Sequence, residues 1–128
     1  HKAMTEVELQ GIEVMRAITQ AVRNAQSVNS PATGASGTSL SLAISTSSKN
    51  PTVFDLSGGK TRIKDWSGSA IELNSDQVEI SNLSFKNMSA VSAPGSIRVS
   101  FDINYINPGN KAELNYSKTY VDTASIPQ

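Results

Sequence analysis

Residues 5–28 read TEVELQGIEVMRAITQAVRNAQSV, and the periodicity of this stretch decides the fold. Val7, Val14, Met15, Ile18, Ala21, Val22 and Ala25 recur at three- and four-residue spacing, with Gly11 filling the one gap, so an apolar stripe runs down one side of a predicted helix. Glu6, Glu8, Gln10, Glu13, Arg16, Gln20, Arg23 and Asn24 occupy the other faces. The acids gather toward the start, where the helix dipole favours them. At about 1.5 Å per residue the helix is roughly 35 Å long. Only strand-like sequence follows, so the stripe, and Val14, Ile18, Val22 and Ala25 above all, is expected to lie under a sheet. The predicted class is α+β: one long N-terminal helix packed on an antiparallel β-sheet.

The chain has 128 residues, enough for one domain with a real core. Eleven basic residues balance eleven acidic ones, which gives no electrostatic reason to expect a nucleic-acid partner. The lack of cysteine excludes disulfide scaffolds, thiolate zinc sites and cysteine nucleophiles. No run of apolar residues is long enough to span a membrane. His1-Lys2-Ala3-Met4 reads as an expression-vector scar, leaving residues 5–128 as the domain and removing the only histidine.

Beyond the helix, Pro31, Gly34 and Gly37 mark residues 30–38 as a loop. Leu40, Leu42 and Ile44 alternate in a half-buried strand. Residues 52–66 predict a hairpin turning on Gly58-Gly59, with Phe54 opposite Ile63, Asp55 opposite Arg62 and Leu56 opposite Thr61. A short strand follows, sending Ile71 and Leu73 inward. In the next, Val78 and Ile80 differ in parity from Leu83 and Phe85, which predicts a bulge near Ser81-Asn82. Ile97, Val99, Phe101, Ile103 and Tyr105 then alternate cleanly. Asn107-Pro108-Gly109-Asn110 predicts a type II turn into a last strand carrying Leu114, Tyr116 and Tyr120. The strands together cover about residues 39–126, six or seven in number.

Catalytic candidates are lacking: with the histidine set aside and no cysteine, no acid–base or nucleophilic constellation remains, and no enzyme activity or cofactor is expected. Asp55, Asp65, Asp76, Asp102 and Asp122 are scattered over turns and outward strand positions, the ordinary places for solvated carboxylates. Asp76 and Asp122 are the calcium candidates, without EF-hand spacing to support them. Lys60, Arg62 and Lys64 put three positive charges on one strand face, either a nucleic-acid patch or a solvated surface, and no aromatic residue is interleaved for base stacking. Trp66 reads as the lid of one end of the core, with an exposed binding aromatic as the alternative. Three Asn-X-Ser triplets begin at Asn82, Asn87 and Asn115.

The layout resembles the type IV pilin-like proteins, which include pilus subunits and the pseudopilins of type II secretion systems. Phe54-Asp55-Leu56 leading through Gly58-Gly59 to Arg62, then Leu73-Asn74-Ser75-Asp76-Gln77-Val78 and Leu83-Ser84-Phe85, are similar to the run that many minor pilins and pseudopilins carry after their first strands. Thr123-Ala124-Ser125-Ile126 is similar to their C-terminal strand. The resemblance covers most of residues 5–126 through short motifs. It implies a filament subunit at the cell surface whose partners are other pilin or pseudopilin subunits. It also implies an upstream apolar half-helix that holds the subunit in the inner membrane before assembly. Without that half-helix the chain is expected to be monomeric in dilute solution, and Val7 is expected to face neighbouring subunits. A second class, an extracellular β-rich adhesin or carbohydrate-binding module, requires an aromatic platform or a polar groove.

Overall fold

A computed structural model describes residues 2–89, 95–106 and 116–127. Helix α1 spans Lys2–Arg23. Among the described residues nine strands follow: β1 Ser27–Ser30, β2 Ser36–Gly37, β3 Leu40–Ala43, β4 Thr52–Ser57, β5 Lys60–Asp65, β6 Ile71–Glu72, β7 Val78–Asn87, β8 Ser96–Tyr105 and β9 Ser117–Ser125. They form two antiparallel sheets, ordered β1-β3-β4-β5-β6 and β2-β7-β8-β9.

The expected α+β class, a helix on an antiparallel sheet, is therefore corrected: the fold is mostly β, with two sheets and one helix lying on them. Asn74 lies where the two sheets meet. Its side chain is buried, and its Oδ1 accepts the Thr61 N–H at 2.8 Å while its Nδ2 donates to the Gly59 and Val78 carbonyls at 3.1 and 3.3 Å. This amide, together with the Ile80 N–H bonded to the Gly59 carbonyl at 2.9 Å, joins the β4–β5 hairpin to the start of β7. Alternation in sequence tells which face a residue takes, but not which sheet its strand enters.

The helix also stops short of the predicted 5–28. The Ala25 N–H bonds back to Val22 at 3.1 Å, and the Gln26 N–H donates to the Ala43 carbonyl at 2.8 Å. Ser27, Val28 and Asn29 are poor helix formers, so pairing with β3 wins over helix continuation. At the other end Lys2, Ala3 and Met4, set aside as part of a scar, are helical, and Ala3 is fully buried. The predicted stripe otherwise holds. Val14, Ile18, Val22 and Ala25 are all buried, Ala25 from just beyond the helix. Val7 is fully buried too, contrary to its expected role toward neighbours.

α1 lies mainly across β8 and β9 and meets β7 less closely. One core cluster joins its stripe to Val78, Ile80, Leu83, Phe85, Ile97, Val99, Phe101 and Ile103 of the second sheet and to Leu40, Leu42 and Phe54 of the first. The predicted hairpin register is found pair for pair, with Gly58 and Gly59 at φ 58° and 79° as a primed turn needs. Ile71 departs from prediction. It lies on the outer edge strand of its sheet and is 63% exposed.

The bulge falls between Ser81 and Ser84, and with it Val78, Ile80, Leu83 and Phe85 all reach the core. Asn82 takes φ 54° there, and its Nδ2 donates to the Asp102 carboxylate at 2.7 Å. The Thr119 hydroxyl donates to the other carboxylate oxygen at 2.6 Å, so Asp102 ties three strands together. These bonds, Thr119 first, hold Asp102 below the usual carboxylate range. Its folded pKa is thus lower than its unfolded one. The stabilisation is complete above the unfolded value of about 3.9 and is lost as pH falls through the folded pKa. An NMR titration of the Asp102 carboxyl should give a midpoint below about 3.9, and one at or above it would contradict this geometry.

Candidate functional site

The predicted metal and basic-patch positions do not form a site. Among the described residues no three His, Cys, Asp or Glu side chains gather where a metal ion could be held. Asp76, a calcium candidate, is paired with Lys60, whose ammonium lowers its pKa through a hydrogen bond and charge. Asp122, the other, lies on β9, where its carboxylate accepts the Thr123 N–H at 2.8 Å.

The basic face is largely neutralised. Lys60 belongs to Asp76, and Arg62 forms a two-pronged pair with Asp55 at 2.8 and 2.7 Å, whose hydrogen bonding and charge raise its pKa. Of the predicted patch only Lys64, exposed at the surface, carries no such pairing among the described residues. Asn87, in the second Asn-X-Ser triplet, is buried and donates to the Pro31 carbonyl at 2.9 Å. Asn115, together with Leu114 and the turn at Asn107-Pro108-Gly109-Asn110, lies outside the described residues.

What the fold does assemble is the seam between α1 and β9, the edge strand of the second sheet. Gly11 makes the close approach possible. A Cβ at that position would lie 2.8 Å from Cζ of Tyr120, inside van der Waals contact, so the ring rests directly on the helix backbone. The Tyr120 ring stacks on Phe101 with centroids 5.7 Å apart, and its hydroxyl donates to the Glu8 carbonyl at 3.5 Å. The Tyr116 hydroxyl donates to the Glu8 carboxylate at 3.2 Å. Lys118 approaches the same carboxylate at 3.5 Å and sits 5.2 Å from the Tyr120 centroid. Burial lifts the Tyr120 phenol above its ordinary pKa, against the pull of Lys118.

Beside this seam runs an open groove lined by Ile12, Met15, Arg16, Thr19, Arg23, Tyr120, Val121 and Asp122. Its rim is apolar where a surface helix is ordinarily polar. Ile12 is 47% exposed and Val121 51%, and Leu9, one turn before Ile12, is 51% exposed. Leu9 and Ile12 are missed when the helix is reduced to one stripe and a polar remainder. Their signal was present as two large apolar residues, three apart, between acids on the outward side.

Comparison with protein-family models, with curated proteins and with solved structures finds no match to this chain. No helix among the described residues is long and apolar enough to cross a membrane.

Proposed function

We propose that the chain is a structural subunit of a filament of the type IV pilus or type II secretion pseudopilus kind, and that copies of it pack through the outward side of α1 and the α1–β9 groove. The observation that carries this reading is the second apolar face of the helix. One stripe is buried in the subunit's own core, while Leu9 and Ile12, with Val121 across the groove, remain open to water. A helix that needed only to cap its own sheet would be polar there. Arg16 and Arg23 stand in the same groove as Asp122, so the surface offers both signs of charge to another copy of itself. Zero net charge over the chain removes general repulsion between copies.

The exposed face is small, so association through it alone is weak. In sedimentation equilibrium the chain should be monomeric at micromolar concentration and associate reversibly toward the millimolar range. Leu9→Glu with Ile12→Glu should abolish that association, while Ile71→Glu, on an exposed residue of the other sheet, should leave it intact. Association unaffected by the helix pair, or a tight dimer at micromolar concentration, would overturn the reading.

A further inference from the structure

Trp66 is the only tryptophan in the chain, and 59% of its surface is exposed, so it does not close the core as its sequence position led us to expect. The backbone beneath it is unfavourable as well. Its φ is 45°, in the left-handed region that bulky side chains seldom adopt. Two bonds hold this conformation: the Trp66 N–H donates to the Pro51 carbonyl at 2.9 Å, and the Gly68 N–H closes the turn onto the Asp65 carbonyl at 2.8 Å. Strain of this kind persists only where its surroundings fix it, and it clusters at ligand-binding positions.

A shallow hollow beside the indole is lined by Ser47, Ser48 and Ser67 together with Trp66. None of these four side chains ionises. The nearby Asp65 carboxylate accepts the Thr52 hydroxyl at 3.1 Å. The lining therefore combines one broad apolar ring with three hydroxyls, each able to donate and accept.

We infer that this hollow binds a neutral sugar ring. One face of a pyranose is a sheet of C–H bonds that lies flat on an indole, and its rim of hydroxyls requires hydrogen-bond partners that the serines provide. An anionic ligand would find no cation in the lining, and a purely apolar one would cover the serine hydroxyls without replacing their bonds to water. The site is built from the turn after β5 and from Ser47 and Ser48 and uses no residue of the α1–β9 groove, so it stands independently of the filament reading.

With one tryptophan in the chain, indole emission excited selectively over the three tyrosines reports on this site alone. Titration with cellohexaose, maltohexaose and chitohexaose should give a saturable blue shift with at least one of them, in the micromolar to millimolar range. Ser48→Ala and Ser67→Ala should each weaken that binding several-fold. Trp66→Gly should abolish it, read by calorimetry, while the melting temperature stays level or rises, because glycine adopts the positive φ freely. No response to any of the three sugars overturns the inference, as does undiminished binding by Trp66→Gly. A response only to a proline-rich peptide, run as a control, also overturns it.

Discussion

Ile18→Ala should lower the stability of the folded chain by about 2–5 kcal/mol, a large part of what a domain of this size possesses. Ile18 is fully buried at the centre of the stripe, in one cluster with side chains from both sheets, so the lost atoms leave a cavity that rigid strands cannot collapse around. Val7→Ala should cost about 1.5–3 kcal/mol, since Val7 is as completely covered as Ile18 despite lying nearer the start of the helix. Urea melts of the two variants test this directly. A loss below about 0.5 kcal/mol at Val7 would mean that the first half of α1 is not held by the sheet.

Gly11→Leu is the second large effect, with an expected cost of about 3 kcal/mol. The added side chain needs the space that the Tyr120 ring occupies, and displacing the ring breaks its stacking on Phe101 and its contacts with Glu8 and Lys118. A double-mutant cycle isolates the cause. In a Tyr120→Ala background the ring is gone, and Gly11→Leu should cost much less than it does alone. Equal costs in both backgrounds would place the clash elsewhere.

The local parts of this fold were legible because each is written in a short window. The hairpin register follows from Gly58-Gly59, the apolar pair Phe54–Ile63 and the ion pair Asp55–Arg62, and the bulge at Ser81-Asn82 follows from a change of parity. The buried side of α1 follows from helical spacing. The split into two sheets was not legible, because alternation assigns a face and not a sheet, and the buried Asn74 amide at the junction finds Thr61 and Gly59 13 and 15 positions away. An asparagine before a serine reads as an ordinary turn signal. Trp66 and Ile71 failed for a related reason. Apolar character predicts burial only where another layer lies above, and neither the edge strand β6 nor the turn after β5 is covered.

The candidate site was legible only in part. The stripe that fixes α1 on its sheet was read correctly, but the exposed pair Leu9 and Ile12 was absorbed into a face described as polar. The charged candidates carried true spacing and the wrong surroundings. Lys60 and Arg62 do alternate on one strand, yet carboxylates from neighbouring segments answer both.

The seam between Glu8 and Tyr120 joins residues 112 positions apart, and this separation governs how the molecule must be made. On a ribosome moving at about 5–20 residues per second, α1 emerges roughly 5–20 s before the strand that covers its flank exists. During that interval both apolar faces of the helix are open, and neither can be buried by its own neighbourhood in sequence. Loop closure of this length, together with the long antiparallel pairings of β7, β8 and β9, makes folding a late and slow event in the life of the chain. Chaperones that hold amphipathic helices should therefore engage the nascent chain at α1 and leave it only after β9 has cleared the exit tunnel.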